Sequence, residues 1–293
     1  MIEKILINAS NNIIGNNFKI KLTLATIISG GHVLIEDLPG TGKTTFAKSI
    51  TEALNLDFKR IQFTSDLLPS DILGYTYLKK DKFVINKGPI FTNIVLADEL
   101  NRASPKTQSA FLEAMEENTI TIDKQTFKLP KPFSVIATQN PADLSGTSLL
   151  PESQLDRFSI SFSLDDLNKD ERIQVLNQKK SNSIKKSKFN FEKNINLSKV
   201  NTNKNVLDYL DDINQYIKSN FQNTHVSIRS LKQTLSLAKS LALINNKDFV
   251  TYQEIKDVLP YVLRHRLNIV NKDEIVDFIK YEILNKISFP DEN

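Results

Sequence analysis

A layered α/β domain followed by a smaller all-helical domain is the fold class that this 293-residue sequence predicts. Three observations carry the expectation. Short, nearly continuous apolar runs rich in β-branched residues recur through the first half, as they do in strands buried on both faces of a parallel sheet. Helix-period stretches lie between them, an alternation characteristic of layered α/β domains. After about Gln178 the texture changes: the polar, basic, aperiodic tract Lys179–Ile195 reads as a linker or surface excursion, and the remainder reads as helix throughout. The expected boundaries are 1–190 for the α/β part and 191–293 for the helical part.

Taken in order, His32–Glu36, Arg60–Thr64, Ile94–Asp98, Phe133–Thr138 and Phe158–Leu164 are the five expected strands. Helices are expected at Thr44–Leu54 and at Pro105–Glu117. The second opens on Ser104-Pro105, a capping residue followed by proline at the first helical position, and aligns Phe111, Leu112, Ala114 and Met115 as an apolar stripe. Two segments with strand-like alternation, Gly74–Pro89 and Thr119–Leu129, read as hairpins, the first turning at Lys-Asp-Lys. In the helical part, Ser227–Leu243 places Ile228, Leu231, Leu235, Ala238 and Ala242 on one stripe, and Thr251 to Glu254 forms a capping box that opens another helix.

Composition removes several function classes. The sequence has no cysteine, so disulfides, thiolate metal sites and cysteine nucleophiles are excluded. His32, His225 and His265 are scattered, which argues against a histidine metal site, and His32 reads as structural. The apolar run of the N-terminus is too short for a signal peptide, and none approaches the roughly 18 residues of a membrane helix; a cytoplasmic protein is expected. The net charge of +4 is mildly basic, well short of the strongly basic domain that nucleic-acid binding calls for.

The chemistry concentrates in a few segments. Glu36 to Thr45 matches the second half of the phosphate-loop pattern G-x-x-x-x-G-K-[ST], with Asp37 where the first glycine is usual. It follows an expected strand and precedes an expected helix, the context the motif requires. Gly40 and Gly42 allow backbone to approach a phosphate that a Cβ would hold off. The N–H groups at the helix start, backed by its dipole, would wrap that phosphate. Pro39, Gly40, Thr41, Gly42, Lys43, Thr44 and Thr45 are thus the expected nucleotide-binding residues, with Lys43 on the β- and γ-phosphates and Thr44 on Mg²⁺. About 55 residues later the strand Ile94–Asp98 ends in Asp98-Glu99. Phosphoryl chemistry needs one acid at the metal and one that orients and deprotonates water; Asp98 suits the first role and Glu99 the second. Asn140, at the end of another buried strand, is placed to hydrogen-bond the same water.

GGHVLIEDLPGTGKT, IVLADELNRASPKTQSAFLEAMEE, PFSVIATQNP, LPESQLDRF and DVLPYVLRHRL together resemble the MoxR family of AAA+ ATPases, from about Ile13 to Leu267. The resemblance implies an AAA+ P-loop core with a five-stranded parallel sheet, a small helical lid, and hydrolysis of ATP with Mg²⁺. It also implies self-association into a ring, a hexamer, and chaperone-like remodelling of partner proteins, often ones with a von Willebrand factor A domain. A motor acting on nucleic acid is the alternative, since related AAA+ rings act on DNA. Family members commonly carry an acidic residue at the position of Asp37, which is then expected in the left-handed region that a tight turn demands. Ile14 and Gly15 match the segment that packs on adenine. Arg157 matches the arginine finger that reaches a neighbour's γ-phosphate; a surface ion pair with Asp156 or Glu152 is its other reading. Arg229 matches the second sensor, although the chain reads His225-Val-Ser-Ile-Arg229 where the family has Gly-Ala-Ser-Pro-Arg, leaving the helix start less fixed. In related ATPases, hairpins such as the two above line the ring and touch substrate.

Overall fold

A computed structural model describes residues 2–10, 13–38, 40–140, 150–177, 191, 195–221, 226–267 and 274–288. Pro39, His225 and most of the expected linker Lys179–Ile195 lie outside the described residues. Two helices, α1 (Ile2–Ser10) and α2 (Asn17–Ile28), precede β1 (Val33–Glu36), α3 (Lys43–Leu54) and β2 (Phe58–Gln62). Next come α4 (Pro69–Leu73), the hairpin β3 (Gly74–Lys79) and β4 (Lys82–Lys87), β5 (Ile94–Asp98) and α5 (Pro105–Glu117). A second hairpin, β6 (Thr119–Ile122) and β7 (Gln125–Lys128), leads to β8 (Ser134–Gln139), α6 (Glu152–Leu155), β9 (Ile160–Phe162) and α7 (Lys169–Asn177). The helical part holds α8 (Lys204–Asn220), α9 (Ile228–Ile244), α10 (Tyr252–Leu263) and α11 (Ile275–Phe278), the last running into a π-helical segment, Ile279–Leu284.

The five expected strands form one sheet in the order β2-β5-β8-β1-β9, every pair parallel. The apolar runs explain why. Side chains alternate between faces along a strand, and both faces are covered. Val33 and Ile35 of β1, Leu96 of β5 and Ile136 of β8 enter one core, while Leu34, Val95, Ala97, Val135 and Ala137 enter the other. The first core is continuous with the helical part, through Tyr209 and Ile213 of α8, Leu237 and Leu241 of α9 and Val258 and Val262 of α10. The second is closed by Phe111, Leu112 and Met115 of α5, with Phe63 and Phe111 edge to face at 5.1 Å.

Register carries the strand ends to one edge. Glu36 pairs with Gln139, and Gln62 with Asp98, so β1, β2, β5 and β8 deliver their last residues side by side. In open parallel sheets this carboxyl edge is where ligands bind.

Several local expectations change, among them the strand expected at Phe158–Leu164, which shortens to Ile160–Phe162. β2 begins and ends two residues before the expected Arg60–Thr64, because its ladder with β5 starts at Phe58↔Ile94. The stripe of α9 is rotated: Ile228 is 67% exposed, Leu231 and Leu235 are half-buried, and Thr234, Leu237 and Leu241 complete the buried face beside Ala238 and Ala242. That helix packs on both α2 and α10, so two directions of burial set its orientation instead of one. Asp37 has no positive φ, for a reason given below.

Candidate functional site

The loop between β1 and α3 is shaped by its glycines: Gly40 and Gly42 have φ of 87° and 88°, in the region L side chains avoid. Asp37 does its work through its carboxylate. Its Oδ1 accepts from the Leu38 N–H at 2.8 Å and its Oδ2 from the Leu164 N–H at 3.3 Å, while its own N–H donates to the Gln139 carbonyl at 3.1 Å. The acid anchors the start of the loop to the chain beyond β9, where a glycine would provide no tether. Lys43, the first residue of α3, donates Nζ to the carbonyls of Leu38 at 2.6 Å and Asp37 at 3.2 Å.

Opposite the loop, Asp98 and Glu99 are held by residues of β2 and β8. Asp98 Oδ1 accepts from the Thr138 hydroxyl at 2.6 Å, and that same oxygen of Thr138 accepts from the Glu99 N–H at 2.9 Å. Asp98 Oδ2 accepts from Arg60 Nη2 at 2.6 Å and Nε at 3.2 Å. Glu99 has φ of 55°; its Oε2 accepts from Gln62 Nε2 at 2.8 Å and lies 3.3 Å from Arg102 Nε. Arg60 also donates to Gln62 Oε1 at 2.8 Å, so β2 grips both acids. The sequence reading missed Arg60, Gln62 and Thr138. Two polar residues two apart on a strand beside the Asp-Glu strand were the available signal, since they share a face.

The loop separates two cavities that share Gly40, Gly42 and Thr45. One, of about 390 Å³, brings Lys43 and Thr44 together with Asp98, Glu99, Thr138 and Asn140. The other, of about 330 Å³, is lined by Ile13, Ile14, Phe46, Leu164, Leu167 and Val175, with Thr41 at its rim. Gly15, at φ 72°, turns the chain beside it. A polar cavity and an apolar one across a glycine-rich loop suit the two ends of a nucleotide. Thr44 and Asp98 are hard oxygen donors of the kind Mg²⁺ takes, with few protein ligands and several waters.

Arg157 and Arg229 are elsewhere. Both pair with Glu116 near the end of α5: Arg157 Nε lies 3.0 Å from Oε2, and Arg229 bonds Oε1. They line a third cavity, of about 220 Å³, with His32, Gln233 and Ser236 and no residue of the phosphate loop. Arg157 thus pairs with Glu116, while Asp156 is the ion-pair partner of Arg266. Despite the absent proline, the start of α9 is fixed, for Ser227 caps it by accepting from the Ser230 N–H at 3.1 Å. His32 is structural. It is buried, Nδ1 accepts from the Val135 N–H at 3.0 Å, and Nε2 faces the Met115 carbonyl at 3.3 Å. Burial pushes its pKa down to about 4.

Residues 32–160 match the ATPase family associated with various cellular activities (AAA), and residues 215–279 match the AAA lid domain. Chaperone MoxR1 of Mycobacterium tuberculosis is 32% identical over an alignment of 305 positions, covering 97% of this chain and 79% of that one. The chain belongs to the MoxR family of AAA+ ATPases. YeaC of Bacillus subtilis, an uncharacterized protein, is 41% identical over 257 residues, covering 84% of this chain and 80% of its own. The crystal structure of an ATPase candidate from Cytophaga hutchinsonii superimposes with a TM-score of 0.82 at 31% identity, covering 99% of this chain and 95% of that one. Besides their shared apolar core, the MoxR core and lid meet through polar contacts. Arg264, just past α10, donates to Glu36 Oε2 at 2.5 Å, and Gln139 Nε2 donates to Glu36 Oε1 at 2.7 Å. None of the described helices is long and apolar enough to cross a membrane.

Proposed function

We propose that this MoxR protein binds ATP across its phosphate loop, hydrolyses it with Mg²⁺ at interfaces between subunits of a ring of six, and uses the cycle to remodel partner proteins. The separation of Arg157 and Arg229 from the loop of their own chain carries the reading. Two cations clustered on one carboxylate, in a cavity without loop residues, have a use in phosphoryl transfer only if a neighbour's nucleotide meets them. A ring with heterologous contacts supplies that neighbour at every interface.

In this scheme the N–H groups from Gly40 to Thr45 hold the β-phosphate, and Ile14 and Gly15 pack against adenine. Thr44 and Asp98 are the residues that would hold Mg²⁺, which when bound neutralises charge on the β- and γ-oxygens. Lys43, now on loop carbonyls, turns to the γ-phosphate. Glu99 takes the proton of the attacking water, and Asn140 orients that water from the same cavity. Arg157, assisted by Arg229, stabilises charge on the neighbour's γ-phosphate, an effect worth about 10³-fold or more. Partner proteins would meet the hairpin β3–β4, where the paired Leu78 and Phe83 are 62% and 81% exposed. The name Chaperone MoxR1 supports a chaperone-like role, and a von Willebrand factor A domain protein is the partner class we propose.

Glu99→Gln tests the chemistry: it is expected to bind MgATP normally and to hydrolyse it about 10²–10⁴-fold more slowly. Turnover equal to wild type would remove Glu99 from the role of base. Mixing Lys43→Ala with Arg157→Ala, each inactive alone, tests the shared site, and regained turnover is the result expected.

A further inference from the structure

We infer that the lid segment Arg264–His265–Arg266 ties a subunit's own phosphate loop to the arginine it presents to its neighbour, Arg264 acting as a positioning residue for the loop and Arg266 as the positioning residue of Arg157. The inference rests on the shared-site reading above. Arg266 is the firmer anchor. Its side chain is 3% exposed. Nε donates to Asp156 Oδ1 at 2.8 Å, and Nη2 donates to the carbonyl of Asp156 at 3.1 Å, the carbonyl of Phe158 at 2.8 Å and Gln233 Oε1 at 2.7 Å, while Nη1 bonds the Val262 carbonyl. One guanidinium therefore holds the backbone on both sides of Arg157. A buried guanidinium is tolerable only when its donors are matched, and here each nitrogen has an acceptor, so the fixture is rigid.

The other end of the segment is built the same way. Arg264 and Glu36 form an ion pair with side chains 4% and 2% exposed, and Glu36 is the last residue before Asp37 and the loop. Gln139 joins the two, donating to Glu36 and accepting the Asp37 N–H. Between the arginines, His265 lies 3.1 Å from both the Ser161 hydroxyl and the Phe158 carbonyl of the β9 region. Three consecutive lid residues thus reach the base of the loop, β9 and the turn that carries Arg157. A displacement of the finger by about 1 Å costs on the order of 10²-fold in rate, so this seating bears on turnover at the adjacent subunit's site.

Complementation in mixed assemblies separates the two assignments. Arg266→Met alone is expected to lose turnover about 10²-fold while binding a fluorescent ATP analogue as tightly as wild type. Mixed in equal amounts with Lys43→Ala, it is expected to regain about a quarter of wild-type turnover, the share of interfaces pairing an intact loop with an intact finger. Should Arg266→Met not fold, Asp156→Asn takes its place, since it removes the charge of the ion pair and leaves Nε only an amide oxygen as acceptor. The uncharged pair Glu36→Gln/Arg264→Met is expected to behave oppositely, regaining turnover with Arg157→Ala and none with Lys43→Ala. Lys43→Ala mixed with Arg157→Ala is the control. If the control recovers while neither Arg266→Met nor Asp156→Asn is rescued by Lys43→Ala, the inference is overturned and the shared site stands. If the control itself stays inactive, the shared-site reading falls and this inference with it.

Discussion

Removing Arg264 should expose how much the seam between core and lid depends on one buried charge pair. Arg264→Met leaves the Glu36 carboxylate almost fully buried without its arginine, while the Gln139 amide still donates to it at 2.7 Å. Deleting one partner of such a pair costs about 3–5 kcal/mol, because the surviving charge stays buried without its counter-charge. Against a total stability of about 5–15 kcal/mol that is a large fraction, and it corresponds to a fall in melting temperature of about 10 °C. Replacing both partners, as in Glu36→Gln/Arg264→Met, should bring stability back to within about 2 kcal/mol of wild type, since no isolated charge remains. Urea unfolding of the wild type, both single variants and the double closes a cycle that isolates the pair. An Arg264→Met cost below about 1 kcal/mol, or a double variant no more stable than the single, would refute the reasoning.

Further expectations follow from other contacts. The His32 pKa, depressed from 6.5 to about 4 by burial, means that the unfolded chain takes up the proton first as pH falls. Its contribution is present above about pH 6.5 and is lost toward pH 4, with about 2 kcal/mol gone at pH 5; His32→Gln should flatten that part of a stability-versus-pH curve from urea titrations. Thr138→Val deletes the hydroxyl that serves Asp98 at 2.6 Å and the Glu99 N–H at 2.9 Å. Steady-state kinetics should show turnover reduced about 10–10²-fold with little change in nucleotide affinity, and unchanged turnover would count against that role. Gly74→Ala places a Cβ 2.3 Å from the Asn86 carbonyl at a φ of 109°, so the β3–β4 hairpin should lose amide-exchange protection while the central sheet keeps it.

Much of this was legible in the sequence because burial leaves a local mark. The runs through Val33, Val95 and Val135 are apolar on consecutive residues, which only a strand covered on both faces tolerates. Ser104-Pro105 and the Thr251–Glu254 box mark helix starts, and the Thr251 N–H does bond Glu254 Oε2 at 2.9 Å. Lys43, Thr44, Asp98 and Glu99 could be placed in one cavity because strand ends of a parallel sheet share an edge. What escaped depends on distant pairing. Arg60 meets Asp98 across 38 residues, and nothing within β2 announces that neighbour. The role of Asp37 is likewise fixed by Leu164, 127 residues away. Ile228 looks like core by period alone, yet at the first position of α9 it reaches past the helices that bury the rest.

The continuity of one apolar core through sheet and lid has a consequence for the integrity of the chain. β9 is an outer strand of only three residues, and α10 packs against it, covering Ile160 and Phe162. Stripped of the helical part, the sheet would present an unpaired, apolar rim, the kind of template on which other chains add as strands and precipitate. The lid is therefore expected to guard against aggregation, and the α/β half expressed alone should precipitate unless something else covers that rim.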